Sequence, residues 1–140
     1  MNVGQLARKL AITTDRVRFY TRKGLVVPKK NIENGYRVYS SEDEIRLRFI
    51  VNARHLGFSI KDISMILLQA DEADTACDLV RELIEQRLEQ TEIQYQQSKA
   101  LREKMIAAIS QWSTLPNKNS SKQVICHLID SFVQPGENNN

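Results

Sequence analysis

With 140 residues, 41% of them hydrophobic and 26% charged, the chain has the make-up of one folded domain or of a small domain carrying an extension. No apolar run approaches the roughly 20 residues of a membrane span. The N-terminus, MNVGQLARKL, lacks the apolar core of a secretory signal, so no membrane partner is expected and the cytoplasm is the expected compartment. The net charge of +3 conceals an asymmetry: residues 1–70 carry 13 Lys/Arg against 6 Asp/Glu (+7), and residues 71–140 carry 7 against 11 (−4). A basic front on an acidic rear is the electrostatic footprint of a nucleic-acid binder whose other half does something else.

In chain order, Val3, Leu6, Ala7 and Leu10 stand at helical spacing. Residues 11–13 form a break, with Thr13 as N-cap of a second helix over about Thr14 to Lys23 and Gly24 as its C-cap. Two short helices across a three-residue break predict a helix-turn-helix. Pro28 ends the helical pattern, Asn34-Gly35 signals a tight hairpin, and Tyr36, Val38 and Ser40 alternate with Arg37 and Tyr39 as in a strand. The result is a small β-wing. Ser41 and Glu44 read as the capping box of a third helix, with Ile45, Leu47, Phe49, Ile50 and Ala53 as its apolar side. Ser59 and Asp62 cap a fourth helix whose Ile60, Ile63, Ile66 and Leu67 face inward.

Residues 71–76 read as an acidic linker. From about Ala76 to Trp112 there is neither Pro nor Gly, which predicts one long helix. Steps of seven and four pick out Ile84, Leu88, Thr91, Tyr95, Ser98, Arg102, Met105, Ile109 and Trp112, a coiled-coil seam that a second copy of the chain would bury. Residues 113–133 form a loop and a short apolar helix or strand, and residues 134–140 read as a disordered tail. The expected fold is mainly α: a winged helix-turn-helix head over residues 1–70, a dimerisation helix over 76–112 and a short C-terminal segment over 113–133.

The second helix carries Arg16, Arg18, Arg22 and Lys23 with Phe19 and Tyr20 interleaved, and the wing carries Tyr36, Arg37 and Tyr39. A helix-turn-helix reads DNA by laying its second helix in the major groove. Arginines there pair with guanine edges or phosphates, and tyrosine hydroxyls hold the backbone. No G-x-S-x-G, H-E-x-x-H or phosphate-loop pattern occurs, so an enzyme is not expected. Cys77 and Cys126 are too far apart and too few for a disulfide framework; they read as free thiols or metal ligands.

The runs VRFYTRKGLVVP (17–28), NGYRVYS (34–40) and ARHLGFS (53–59), in that order and spacing, resemble the MerR family of bacterial regulators, with the match covering residues 2–69 nearly without gaps. The resemblance implies a homodimer joined by an antiparallel coiled coil, bound to double-stranded promoter DNA and remodelling it for RNA polymerase in response to an effector. By position it assigns DNA contacts to Thr14, Arg16, Arg18, Tyr20, Tyr36, Arg37, Tyr39 and Arg54. It also points to the heavy-metal-responsive branch. Metal sensors of the family place one cysteine at the start of the long helix and two in the loop after it. Cys77 and Cys126 match the first and last of these, whereas the remaining position falls near Trp112 or Ser113.

Cys77, Cys126 and the adjoining His127 are therefore the expected metal ligands, Cys77 from one protomer and the others from its partner. Zinc or another soft divalent cation such as cadmium or lead would suit them. Two further readings stay open: buried structural cysteines, or a reactive thiol that senses oxidants or aldehydes. A regulator that binds organic cations would need a larger C-terminal domain than the residues after Trp112 provide.

Overall fold

The computed structural model describes residues 1–136. Its elements are α1 (Val3–Leu10), α2 (Thr14–Arg22), β1 (Lys29–Lys30), β2 (Arg37–Val38), α3 (Ser41–His55), α4 (Ile60–Glu72), α5 (Ala76–Trp112) and α6 (His127–Asp130). The chain divides into two compact units, one from Met1 to Arg87 and one from Leu88 onward. The division falls inside α5, not in the acidic stretch read as a linker. Half of that stretch is helical: α4 runs on to Glu72, α5 begins at Ala76, and only residues 73–75 interrupt the two helices.

In the first unit, polar caps begin α1, α2, α3 and α4. Asn2 and Gln5 form a reciprocal capping box at α1, and the Thr13 hydroxyl accepts from Arg16 N at α2. Ser59 and Asp62 cap α4 as the sequence suggests. At α3 the box is shifted by one residue: Ser40 caps, and Asp43 returns the bond to the Ser40 N–H. Glu44 instead pairs with Lys9 at 3.1 Å. The Lys23 N–H closes α2 and Gly24 follows with φ +77°, the left-handed conformation that glycine adopts at least cost.

The core gathers Leu6, Val17, Tyr20, Val26, Tyr39, Leu47, Ile50, Phe58, Ile63 and Ile66. Leu83 of α5 is buried with them, and Leu79, Val80 and Ile84 pack against the cluster. Ile84 therefore belongs to this core, although its spacing assigned it to the seam. Ile45, read as inward-facing, is exposed. Arg87 closes the docked stretch of α5: its Nε and Nη2 reach Asp62 Oδ2 at 3.0 and 2.9 Å. Burial raises the Asp62 carboxyl, but hydrogen bonds from Arg87 and Ser59, with the Arg87 charge, outweigh it and leave the group below its ordinary value.

The second unit holds the later turns of α5, an irregular stretch and α6. Ala108 is buried. Trp112 Nε1 donates to Leu128 O at 2.7 Å, so this indole, read as the last seam residue, closes onto the start of α6. Gln111 donates to Val133 O and accepts from Val133 N. The tail expected over 134–140 lies outside the described residues beyond Gly136. Among the described residues no helix is long and apolar enough to cross a membrane.

Candidate nucleic-acid interface

Helix α2 organises the site because its buried residues fix the direction of the others. Val17 and Tyr20 go into the core, so the flanks of the helix stand at the surface. On one flank Arg18 Nη1 donates to Thr14 Oγ1 at 3.4 Å, one turn back. On the other, Arg16 Nη1 donates to the Tyr20 hydroxyl at 3.5 Å. Lys23 Nζ lies 5.6 Å from the Phe19 ring centroid, a cation–π contact at the far end of the helix.

The wing stands beside the first flank. β1 and β2 pair antiparallel, Lys29 opposite Val38 and Lys30 opposite Arg37. Each strand is only two residues long, shorter than the alternation suggested, because the tip is held by side chains instead: Asn31 and Asn34 accept from Glu33 N and Tyr36 N. The base of the wing is pinned to the start of α1, with Tyr39 N donating to Met1 O at 2.7 Å and the Met1 amino group donating to Tyr39 O at 2.9 Å. These ties bring α1, α2 and the wing around one cleft of about 760 Å³, lined by Arg8, Thr14, Arg18, Asn34, Tyr36 and Arg37 among others. A separate cavity of about 270 Å³ lies on the second flank, lined by Ile12, Arg16, Tyr20, Val51, Arg54 and His55.

Of the eight residues predicted to touch DNA, Thr14, Arg18, Tyr36 and Arg37 share the first cleft, and Arg16, Tyr20 and Arg54 share the second. Tyr20 and Tyr39 stand apart from the surface set: each ring is only 1% exposed. They are core side chains whose hydroxyls reach the surface groups, Tyr39 through Thr21 Oγ1 at 2.8 Å and Tyr20 through Arg16. Their motif neighbours Phe19 and Tyr36 are exposed, and alternation along the chain does not separate the two kinds. Sequence reasoning missed Asn2, Arg8, Asn31 and Asn34 in the first cleft and His55 in the second. The Asn-rich turn signal marked Asn34 as a bend former; only its place in space makes it a lining residue.

The three residues read as metal ligands are not assembled within one chain: among the described residues no group of three or more His, Cys, Asp or Glu could hold an ion. Cys77 is a free, exposed thiol in the first turn of α5. Cys126 is half-buried and precedes α6 without capping it through its side chain. His127 Nε2 lies 2.7 Å from Pro116 O. A carbonyl only accepts, so Nε2 carries a proton in this contact.

Comparison with known proteins matches these features to one family. The model of the MerR HTH family regulatory protein matches residues 1–70, and that of the MerR DNA-binding region matches residues 45–108. The chain belongs to the MerR family. Among MerR relatives, the HTH-type transcriptional regulator ZntR of Escherichia coli is 32% identical over 91 residues, covering 64% of this chain and 64% of its own, so the chain spans less than two thirds of that relative. A probable heavy metal-dependent transcriptional regulator of Haemophilus influenzae is 30% identical over 80% of this chain and 84% of its own. The structure of the transcription regulator PbrR691 from Ralstonia metallidurans CH34, in complex with lead(II), shares the fold with a TM-score of 0.72 at 22% identity, covering 95% of this chain and 99% of that one. The relatives are named as transcription regulators, not enzymes.

Proposed function

We propose that this MerR protein is a homodimeric transcription regulator that binds double-stranded promoter DNA through its head and alters that DNA for RNA polymerase in the cytoplasm when an effector binds. The observation that carries the reading is the convergence of Arg18 and Thr14 from α2 with Tyr36 and Arg37 from the wing on one basic cleft. In a major groove α2 would present Arg16 and Arg18 to base edges or flanking phosphates, while Tyr36 and Arg37 hold the adjoining backbone. Tyr20 and Tyr39 act from beneath, holding Arg16 and Thr21 in place.

Pairing would run through α5, whose Leu88, Tyr95, Met105 and Ile109 are exposed in a single protomer. A 37-residue helix is about 55 Å long. Its two ends meet one another's chemistry only when a second copy runs antiparallel beside it. The effector in this reading is a soft divalent cation of the zinc, cadmium or lead kind, held by Cys77 of one protomer and by Cys126 and His127 of the other. The cation would supply a charge that draws thiolates from both protomers together. The chain's own share is the Pro116 carbonyl that orients the imidazole and the start of α5, which presents Cys77 to solvent. The same exposed thiol supports the second reading, in which Cys77 reacts with an oxidant or aldehyde.

The test is a transcription assay on a promoter fragment that the protein footprints, titrated with zinc, cadmium and lead salts. Induction by at least one ion, abolished in Cys77→Ser and in Cys126→Ser, is the expected result. Induction unchanged in both variants removes the metal site, and induction by aldehydes or oxidants alone favours the second reading.

A further inference from the structure

We infer that Asn34 is a self-modification site: its side-chain amide cyclises onto the backbone of Gly35 and leaves an acid at the wing tip, which weakens the hold of the wing on DNA. The modification stands on the wing alone; its effect on affinity rests on the DNA-binding reading. Asn34-Gly35 is the only Asn-Gly pair in the chain, and both residues are exposed. A glycine nitrogen is the least hindered one that can follow an asparagine. The space where a side chain of residue 35 would stand is empty to 4 Å. Asn2 and Asn31 are followed instead by Val3 and Ile32, whose branched side chains crowd the nitrogen, and Asn52 lies within α3.

Two hydrogen bonds set the reactivity of the tip. Asn34 Oδ1 accepts from Tyr36 N at 2.9 Å, which draws electron density from Cγ and readies that carbon for attack. The Gly35 N–H donates to Asn31 O at 2.8 Å, which restrains the attacking nitrogen until the turn opens. The strands beneath are two residues long and exposed, so the turn opens locally and leaves the core intact. In the open turn Gly35 N bonds to Asn34 Cγ, and the Cγ–Nδ2 bond breaks. The leaving nitrogen takes the Gly35 proton and departs as ammonia. Solvent water then adds across either carbonyl of the cyclic imide and opens it, leaving an aspartyl or an isoaspartyl residue. Each step moves electron pairs only, so no oxidant or reductant enters.

The product stands where a carboxylate does most harm. Asn34 lines the cleft with Arg8, Arg18, Tyr36 and Arg37, and no carboxylate is among the described residues that line it. The new one offsets one of those cations against a phosphate backbone. The isoaspartyl product also lengthens the main chain at the tip and disturbs the pairing of Lys30 with Arg37. A duplex in the cleft holds the turn closed, so the change accumulates in protein that is off DNA.

The experiment ages the full-length protein in warm buffer, alone and with a saturating promoter duplex, and follows each asparagine by peptide mapping and an isoaspartate assay. Asn34 should convert well ahead of Asn2, Asn31, Asn52, Asn117 and Asn119, and more slowly with duplex. The aged protein should bind about tenfold more weakly at about 0.1 M salt, with the slope of log affinity against log salt reduced by about 0.9. Fresh Asn34→Asp should reproduce that loss. Asn34→Gln, whatever its starting affinity, should keep it through the incubation.

Conversion of Asn34 no faster than of the other asparagines overturns the site. A converted protein that binds as well as fresh protein, or an Asn34→Gln variant that loses affinity at the same rate as the unaltered one, overturns its effect. Equal conversion with and without a duplex that binds overturns the protection by DNA. Rapid conversion of Asn34 in a protein that binds no duplex even when fresh keeps the modification site and removes the DNA reading.

Discussion

The two units of the chain treat apolar surface in opposite ways. Residues 1–87 bury it: four helices, the wing and the first turns of α5 enclose one core, with Leu6, Val17, Leu47, Ile50 and Ile63 wholly shielded. From Leu88 onward Ala108 is the one buried side chain among the described residues, while Ile93, Leu101, Met105, Ile106 and Ile109 remain exposed. Apolar area removed from water stabilises by roughly 25 cal/mol per Å². The first unit gains that within one chain, and the second would gain it from the partner proposed above. In the proposed function, a sensor mounted on a surface that is complete only when paired is linked to assembly from the start. A DNA-reading head with its own core keeps its shape independently.

The sharpest way to break this contrast is to charge the exposed face. Leu88→Glu with Ile109→Glu should convert the dimer to a monomer and abolish operator binding, while amide exchange within residues 1–70 stays protected. Sedimentation velocity checks this, and a dimer surviving both charges would move the interface elsewhere. A core truncation tests the other unit. Leu47→Ala should cost about 2–5 kcal/mol in urea unfolding, because a fully buried leucine leaves a cavity. The matched change Leu101→Ala should cost a monomeric variant far less.

Smaller effects probe the site. Arg18→Ala and Arg37→Ala should each weaken specific DNA binding by about 1–3 kcal/mol at fixed salt, measured by anisotropy, with melting temperature unchanged. Undiminished affinity in either would remove that residue from the interface. The smallest effect concerns the Arg87–Asp62 pair. The Asp62 carboxyl lies below its ordinary value in the folded state, so it stabilises the fold at pH above the unfolded value of 3.8. That contribution fades as pH falls through the lower folded value. Asp62→Asn should therefore be less stable than the parent at neutral pH, with the gap closing only as pH falls below 3.8 through the lower folded value. A gap that persists in acid would mean that lost packing, not charge, explains the variant.

Local chemistry alone determined much of this protein. Thr13, Ser59 and Asp62 announce their caps because a short polar side chain satisfies the free N–H groups of a helix start wherever the chain folds. The Asn34-Gly35 turn and the long run free of Gly and Pro likewise carry their conformations within a few residues. The helix-turn-helix, the wing and the long α5 were therefore legible, and with them Thr14, Arg16, Arg18, Tyr36 and Arg37 as a surface set.

Tertiary packing decided the rest. Ser40 and Ser41 are both competent caps; Ser40 takes the role while Glu44, the partner Ser41 would need, turns to Lys9 far away in sequence. Tyr20 and Tyr39 sit in the same basic motifs as the exposed Tyr36, and only the closing of α2 against the wing puts two rings inside and leaves one out. Ile84 and Trp112 fit the seven-residue repeat as well as Ile109 does, yet Ile84 joins the head core and Trp112 reaches α6. Periodicity marks which residues share a stripe on a helix, but several surfaces compete to cover one stripe, and burial goes to whichever the fold brings within contact distance.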